Sequence, residues 1–228
     1  MRNLLALLTL LVLVGCTEAP PRSGEARFLA MGDSMMAVYD GSQGSVSDNL
    51  ERIMGTSVVD RSVLGAQYLY ALPISGSLGL RIGSQYVDRD WDWVILNGGG
   101  NDLWLTCGCR RCDGKLNRLI NQDGTQGEIV NVVRRARSSG ARVLYVGYLR
   151  SPGVPSAIDH CLAYGNALEA RLVKMAAQDE GVTFLSLADL VPMGDKSYHD
   201  DDMIHPSRKG SAAIAGRIAR VVQQAPTP

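Results

Sequence analysis

The sequence predicts one α/β domain of three layers, in which helices cover both faces of a five-stranded parallel sheet. Apolar runs alternate along the chain with helical patterns, and this alternation is typical of parallel strands joined by crossover helices. Several of the runs, such as "WVIL", are unbroken rather than alternating. Unbroken apolar runs indicate strands that are buried on both faces, as they are in a sheet between two helical layers.

The predicted strands lie, in chain order, at residues 27–32, 56–63, 92–99, 141–148 and 182–187. The predicted helices lie at residues 45–54, 125–140, 155–181 and 206–224. Thr125 to Glu128 and Ser156 to Asp159 have the spacing of N-terminal capping boxes, so we expect two of these helices to begin there. Residues 101–124 are rich in cysteine, glycine and charge, and we expect an irregular insertion after the third strand.

Composition and charge narrow the class of protein. A chain of 228 residues with 46% hydrophobic residues can bury a full core in one domain. Lysine plus arginine equals aspartate plus glutamate at 23 each, so the formal net charge is zero. The sequence contains no basic stripe and no nucleic-acid-binding motif, so we expect neither a nucleic-acid partner nor electrostatic docking to an anionic membrane.

Residues 1–15 are predicted to be a lipoprotein signal peptide. The apolar stretch from Leu4 to Val14 has eleven residues, fewer than the roughly 20 that span a membrane, and is typical of a signal peptide. It ends in "LVGC", which resembles a bacterial lipobox and implies cleavage before Cys16 and lipidation of that cysteine. Thr17 follows instead of an aspartate, which in Gram-negative lipoproteins implies the outer membrane. A plain secretory signal with an incidental Cys16 is the alternative.

Residues 16–26, "CTEAPPRSGEA", are predicted to be a tether, because polar stretches rich in proline do not pack a core. The folded domain is then expected to cover residues 27–225. Together these segments predict a protein held by a lipid anchor in the cell envelope, at the outer membrane, and facing the periplasm or the cell surface. We expect it to be a monomer.

The cysteines after the predicted lipidation site are expected to pair, because disulfides form in exported proteins. They are Cys107, Cys109, Cys112 and Cys161, and four cysteines allow three connectivities. A bridge between Cys107 and Cys109 is geometrically poor, so we expect Cys161 to join Cys107 or Cys109, or else Cys112. A metal site that also uses His160 is the alternative, although the spacing is not that of a zinc ribbon.

Polar and glycine-rich loops follow four of the predicted strands. "GDS" follows the first strand, "LGA" the second, "GGGND" the third, and the chain after the fifth leads into "YHDDDMIHPSRKG". Because ligands of such sheets bind at the carboxyl ends of the parallel strands, we expect these loops to converge on one edge.

The residues in these loops are those of a nucleophilic serine site. A hydrolytic serine needs a base, a carboxylate that orients the base, and donors for an oxyanion. Ser34 is the candidate nucleophile, and His205 is the candidate base. Pro206 is expected at the first position of the last helix, so that the helix dipole keeps the His205 ring neutral. Asp202 lies three residues before His205, where a tight turn would bring its carboxylate to the ring.

The order of these motifs resembles that of the SGNH hydrolases, also called GDSL-type hydrolases, over about residues 27–225. The resemblance implies a flavodoxin-like topology, with Ser34 as nucleophile, His205 as base and Asp202 as its partner. It also implies an oxyanion hole formed by the N–H groups of Ser34 and Gly65 and the amide of Asn101. Gly65 lies in a loose version of its motif.

The resemblance further implies a serine esterase that hydrolyses carboxylic esters through an acyl-enzyme on Ser34, without a metal or an organic cofactor. We expect a small-molecule or glycan ester as substrate, with a short-chain or carbohydrate O-acyl group, because the chain has only two phenylalanines. The alternatives are a lysophospholipase or thioesterase of the same family, and a non-catalytic envelope protein that uses this fold to bind glycan.

Five further residues near the motifs stand outside the proposed catalytic set. Asp102 is expected to be structural. Met35 stands where the family usually has leucine or isoleucine, and either Met35 or Met36 is expected to pack behind the serine. His199 and Trp104 are candidates for the wall of the substrate pocket, and the sequence alone does not assign them.

Overall fold

The structure is a computed structural model that describes residues 27–225. Its sheet consists of β1 (Phe28–Met31), β2 (Val58–Asp60), β3 (Trp93–Leu96), β4 (Arg142–Val146) and β5 (Val182–Leu185). All neighbouring strands pair in parallel, in the order β2-β1-β3-β4-β5. The five-stranded parallel sheet and its flavodoxin-like order are therefore confirmed. The predicted signal peptide, tether and lipidation site lie outside the described residues.

The helices are α1 (Ser34–Ala37), α2 (Val46–Met54), α3 (Pro73–Ser75), α4 (Gly100–Cys107), α5 (Asp113–Leu119), α6 (Glu128–Ser138), α7 (Leu162–Ala176) and α8 (Arg208–Gln224). Short π- or 3-10-helical turns cover Gly76–Leu80, Ile82–Ser84, Asp159–Cys161 and Lys196–Tyr198. In the part of the chain that the structure describes, no helix is both long and apolar enough to cross a membrane.

Alternate residues of each central strand enter different cores, which explains why the strands are unbroken apolar runs. On one face, Leu29 of β1 belongs to a core that also contains Ile129 of α6 and Leu172 of α7. On the other face, Ala30 belongs to a core that also contains Ile218 of α8. The sheet thus lies between two helical layers, as predicted.

The strand order places a crevice between β1 and β3. The chain leaves β1 toward β2 on one side of the sheet, and β3, β4 and β5 follow on the other side. Phe28 pairs with Trp93 and Met31 with Leu96, so β1 and β3 end side by side. Loops that leave such a switch point diverge and open a binding crevice at the carboxyl edge.

The prediction that a capping box starts a helix at Thr125 is wrong. The helix α6 begins at Glu128, and its N-cap is Gly127, which makes no side-chain cap. The side chain of Asn121 accepts the Thr125 N–H at 2.8 Å instead, and this bond closes a turn before the helix. An Asn side chain that binds a backbone group in this way competes with helix initiation.

Two other boundaries differ from the predictions. Ser156 N–H does donate to Asp159 at 2.9 Å, but this bond closes a turn, and α7 begins only at Leu162 and ends at Ala176. Residues 101–124, predicted to be irregular, contain most of α4 and all of α5. Two disulfides, Cys107–Cys112 and Cys109–Cys161, brace this segment.

Candidate active site

A cleft of about 690 Å³ opens at the carboxyl edge of the sheet. It lies where the chain leaves β1, β3 and β4 and where it enters α8. Its walls include Ser34, Asn101 and His205, which were predicted for chemistry, and Trp104 and His199, which were predicted for the pocket wall, whereas Asp202 and Gly65 are not among the lining residues. The volume is within the range of about 300–1,000 Å³ that is usual for small-molecule sites.

The sharp turn after β1 brings Ser34 into the cleft. Asp33 is the N-cap of α1, its Oδ1 accepts the Met35 N–H at 3.0 Å, and Ser34 is the first residue of the helix. Met36 is completely buried behind this turn, whereas Met35 is among the cleft-lining residues. Gly-Asp-Ser is therefore a capped strand-to-helix turn that presents its serine at the end of a strand.

Gln85 supports the same turn and was not singled out from the sequence. Its side chain is fully buried, its Oε1 accepts the Gly32 N–H at 2.8 Å, and its Nε2 donates to the Gly32 carbonyl at 2.9 Å. These bonds satisfy both backbone groups of Gly32 in a place that water does not reach. A Cβ at Gly32 would lie 3.0 Å from the Asn97 carbonyl oxygen, so the turn also needs a residue without a side chain.

His205 lines the same cleft and forms a pair with Asp202. His205 Nδ1 lies 2.5 Å from Asp202 Oδ2, and the N–H groups of Ile204 and His205 both donate to Asp202 Oδ1 at 2.9 Å. Met203 has a φ of +56°, a left-handed conformation that is uncommon in residues other than glycine. This conformation bends the chain back so that the ring and the carboxylate meet across three residues.

The Asp202 carboxylate orients the His205 ring. Partial burial tends to raise the pKa of Asp202, but the two N–H donors and the His205 ring outweigh it and lower the pKa below its ordinary value. An ionised carboxylate can only accept, so the ring proton of the neutral histidine lies on Nδ1. Nε2 is then the nitrogen that can take a proton from a partner.

The expectation that Pro206 starts the last helix is wrong. The helix α8 begins at Arg208, and Ser207 is its N-cap, with its Oγ accepting the Gly210 N–H at 3.1 Å. Pro206 instead forms an antiparallel bridge with His199. His205 therefore lies outside the first turn of α8, and its ring is oriented by direct contact with Asp202 rather than by the end of the helix.

Asn101 lies at the start of α4, directly after β3. Its Nδ2 donates to the Ala66 carbonyl at 3.1 Å, which links it to the loop after β2. An amide nitrogen carries two hydrogens, so this bond leaves one donor. Gly65 precedes Ala66 and has a φ of +76°, but it is not one of the residues that line the cleft. Its oxyanion role therefore stays a prediction.

The Asp102 carboxylate binds the backbone of the same loop. It is fully buried, and its two carboxylate oxygens accept the N–H groups of Tyr68 and Leu69 at 3.0 and 2.7 Å. Burial raises its pKa to about 6, although these bonds oppose the increase. The structural role predicted for Asp102 is thus to attach the loop of Gly65 to the helix of Asn101.

The two candidates for the pocket wall, Trp104 and His199, both line the cleft. Trp104 lies one helical turn after Asn101, and its ring is half-buried. His199 is 7% exposed, and burial lowers its pKa, so its ring is neutral at neutral pH. Apolar side chains make up most of the remaining wall, and they include Leu103, Leu149, Val154, Ile158, Leu162 and Ile204.

The cysteines form two disulfides, Cys107–Cys112 and Cys109–Cys161. The second is one of the pairings expected from the sequence, and both of its cysteines line the cleft. Within residues 27–225, the one cluster of potential metal ligands combines Cys109 and Cys161 with His160. The disulfide occupies both sulfurs, and metals bind cysteine as the thiolate, so that cluster supports a disulfide rather than a metal site.

Tyr148 is a second residue that the sequence did not bring forward. It follows β4, lines the cleft, and its hydroxyl contacts Asp33 at 2.5 Å and the Gly100 N–H at 2.9 Å. The loops after the first, second, third and fifth strands carried recognisable motifs. The rule that ligands bind at the carboxyl ends of all parallel strands would also have pointed to the loop after the fourth.

A serine, a histidine–aspartate pair and a donor amide in one cleft of a doubly wound sheet are typical of serine hydrolases. The chain belongs to the GDSL-like lipase/acylhydrolase family, which it matches over residues 30–213. The family predicted from the order of the motifs is thereby confirmed. No curated protein matches the chain.

Solved structures of other SGNH-type proteins share the fold. A Bacteroides fragilis protein that is named as an acylhydrolase is 18% identical, with 90% of this chain and 89% of that chain covered and a TM-score of 0.62. A carbohydrate acetylesterase family member from Sinorhizobium meliloti is 16% identical, with 87% and 98% covered and a TM-score of 0.60. A family two carbohydrate esterase from Clostridium thermocellum is 18% identical, with 90% and 66% covered and a TM-score of 0.56.

Proposed function

We propose that this protein is a serine esterase that hydrolyses carboxylic esters through an acyl-enzyme on Ser34. The observation that carries the proposal is the convergence of Ser34, Asn101 and the Asp202–His205 pair on one cleft. These residues come from three separate segments of the chain, and together they supply the nucleophile, base, orienting carboxylate and oxyanion donor that ester hydrolysis requires.

The reaction begins when His205 Nε2 takes the proton of Ser34 Oγ as Oγ attacks the ester carbonyl carbon. The tetrahedral intermediate collapses, the alcohol leaves with the proton from His205, and the acyl group stays on Ser34. A water molecule then attacks the acyl-enzyme while His205 again takes a proton, and the acid and Ser34 are released. Asp202 stabilises the imidazolium that forms in both steps.

The oxyanion of each intermediate is held by the second hydrogen of Asn101 Nδ2, with the N–H groups of Ser34 and Gly65. The bond from Asn101 to the Ala66 carbonyl supports this role because it fixes the amide plane before substrate binds. Donors that are oriented in advance stabilise the transition state without reorganising during the reaction.

The apolar cleft wall supports esters whose acyl group is longer than acetyl. The cleft of about 690 Å³ is much larger than an acetyl group requires, and leucine, isoleucine and valine side chains line it. The small number of phenylalanines is therefore a poor measure of pocket polarity, since aliphatic residues supply the wall. A lysophospholipase or thioesterase activity would use the same wall for a longer chain.

A carbohydrate O-acyl ester is the second candidate substrate. Trp104 in the cleft wall offers an aromatic face against which a sugar ring can pack. The names of two proteins with this fold, a carbohydrate acetylesterase family member and a carbohydrate esterase, also favour it. A non-catalytic glycan-binding role has less support, because it would not require the Asp202–His205 contact in the cleft that Ser34 also lines.

A panel of nitrophenyl esters tests the function and the acyl group together. Wild type is expected to hydrolyse the acetyl, butyryl and octanoyl esters, with kcat/KM higher for butyryl than for acetyl, and Ser34→Ala is expected to be inactive. Release of acetate from an acetylated oligosaccharide tests the second candidate. Absence of hydrolysis by wild type, or equal hydrolysis by Ser34→Ala, would contradict the esterase proposal.

The predicted location is a separate proposal. We propose that Cys16 carries a lipid that anchors the protein in the cell envelope as a monomer. Its support is the lipobox-like sequence "LVGC". Metabolic labelling with a radioactive fatty acid is expected to mark wild type but not Cys16→Ala, and an unmarked wild type would contradict the anchor.

A further inference from the structure

We infer that Tyr148 is a positioning residue for the reaction, because its hydroxyl joins the turn that carries Ser34 to the helix that carries Asn101. The inference rests on the proposed function, since it concerns the alignment of the nucleophile with an oxyanion donor. It adds a residue from the loop after β4 to a site otherwise built from the loops after β1, β2 and β3 and the segment before α8.

The position of Tyr148 in the sheet explains why it can make this link. In the strand order, β4 neighbours β3, and β1 lies on the far side of β3. Adjacent strands are about 4.8 Å apart, so the end of β4 is about 10 Å from the end of β1. A tyrosine is long enough to cross the end of β3, and it is stiffer than an arginine or lysine of similar reach.

One hydroxyl makes both contacts. Tyr148 Oη donates to Asp33 Oδ2 at 2.5 Å and accepts the Gly100 N–H at 2.9 Å. Asp33 is the residue before Ser34, and Gly100 is the residue before Asn101. Ser34 and Asn101 each therefore follow directly after a residue that is hydrogen-bonded to the Tyr148 hydroxyl oxygen.

The surroundings make this link rigid. Asp33 is 2% exposed, and its second oxygen caps α1 through the Met35 N–H at 3.0 Å. Burial raises the pKa of Asp33, and the bonds from Tyr148 and Met35 oppose that rise. Hydrogen bonds in a dry environment of this kind are stronger than in water, and leaving one partner unpaired is costly.

The Tyr148 ring packs against Gly100 so closely that a side chain at residue 100 would collide with it. A Cβ at residue 100 would lie 2.8 Å from Tyr148 Cζ and 2.9 Å from Tyr148 Oη. Only a glycine lets the ring lie directly against the first residue of α4. The contact therefore sets where α4 begins, and with it the position of Asn101.

Tyr148→Phe tests the inference, because it keeps the ring and removes both hydrogen bonds. Tyr164→Phe is a matched control. The Tyr164 hydroxyl also bridges a backbone N–H and a carboxylate, from Cys112 at 2.8 Å and to Asp113 at 3.3 Å, but Tyr164 is not among the residues that line the cleft.

The readouts are kcat and KM for nitrophenyl butyrate and the rate of labelling by a fluorophosphonate probe. Misplacement of reacting groups by about 1 Å can cost about 100-fold in rate, so Tyr148→Phe is expected to lower kcat and the labelling rate by about 10- to 100-fold. KM is expected to stay close to the wild-type value, because the acyl-binding wall is unchanged. Tyr164→Phe is expected to keep kcat, KM and the labelling rate of wild type.

A normal kcat in folded Tyr148→Phe would overturn the inference, as would equal losses in Tyr148→Phe and Tyr164→Phe. If Tyr148→Phe does not fold, Asp33→Ala removes the acceptor at the other end of the link, and an unchanged kcat in that variant would also overturn the inference. Failure of wild type itself to hydrolyse esters or to be labelled would overturn the proposed function instead, so the two failures are distinguishable.

Discussion

His205 and Asp202 contact each other twice. The ring Nδ1 lies 2.5 Å from Asp202 Oδ2, and the His205 N–H donates to Asp202 Oδ1 at 2.9 Å. One carboxylate thus fixes both the backbone and the ring of the candidate base. The orientation of the base is therefore set within a single turn of four residues, independently of the rest of the cleft.

This double contact predicts that Asp202→Asn is severely impaired. An asparagine can present a donor to Nδ1 and so stabilise the wrong tautomer of His205, and the comparable change in serine proteases costs about 10⁴ in kcat. Steady-state kinetics with nitrophenyl butyrate measures the effect. Asp201→Asn is the control, because Asp201 is the exposed neighbour and no side-chain contact with His205 involves it. Equal losses in both variants would contradict the assignment of Asp202.

Asn101→Ala is expected to lower kcat by about 10²–10³, the usual effect of removing one oxyanion donor. The variant keeps the start of α4, because the backbone of α4 and the Tyr148 contact with Gly100 do not involve the Asn101 side chain. Its KM is expected to change little, since the donor acts mainly on the intermediate. A kcat within a factor of about two of wild type would show that Asn101 is not a major oxyanion donor.

The Cys109–Cys161 disulfide is expected to shape substrate binding. Both cysteines line the cleft, and the bond links residues 52 apart, whereas Cys107–Cys112 links residues 5 apart and does not line the cleft. Replacing Cys109 and Cys161 with alanine is expected to raise KM for butyryl and octanoyl esters and to cost roughly 2–4 kcal/mol of stability. Replacing the other pair with alanine should leave KM unchanged. Equal KM values in the two double variants would contradict this prediction.

The buried carboxyl group of Asp60 is expected to make the free energy of unfolding depend on pH. It ends β2, its Oδ1 accepts the Ser62 N–H at 2.8 Å, and burial raises its pKa from 3.8 to about 6. Because the folded pKa is above the unfolded value, the contribution of Asp60 to stability is complete below about pH 4 and is lost as the pH rises through 6.

Asp60→Asn keeps an acceptor for Ser62 without the charge. Chemical denaturation is therefore expected to find it more stable than wild type by roughly 1–3 kcal/mol at pH 8, with the difference vanishing near pH 4. Glu180→Gln, which changes an exposed carboxylate, should follow the wild-type curve. The account fails if Asp60→Asn is destabilised by the same amount at both pH values.

Much of the site was predictable because its motifs are local. Gly-Asp-Ser after an apolar run and Asp-x-x-His near the C-terminus each place their groups within a few residues, and the strand order brings them together. The residues that support them were not predictable in this way. Tyr148 is 115 residues from Asp33, and Gln85 is 53 residues from Gly32. Long-range pairs of this kind leave no local pattern.

The helix boundaries were missed for a related reason. The Thr125 box had the right spacing, but Asn121 binds the Thr125 N–H and closes a turn instead. Pro206 is a residue type that suits the first turn of a helix, but Ser207 is the N-cap, so α8 begins at Arg208, two residues later than predicted. In the first case a neighbouring side chain takes the backbone N–H that the capping box would have used, and in the second an adjacent serine supplies a side-chain cap that proline lacks.

The central claim is that Ser34 is the nucleophile, and covalent labelling with a fluorophosphonate tests it most directly. Wild type is expected to take up one probe molecule, which peptide mass spectrometry should locate on Ser34. Ser34→Ala should not be labelled, whereas Ser151→Ala, which removes another serine of the cleft, should be. An unlabelled wild type, or a label on a residue other than Ser34, would contradict the claim.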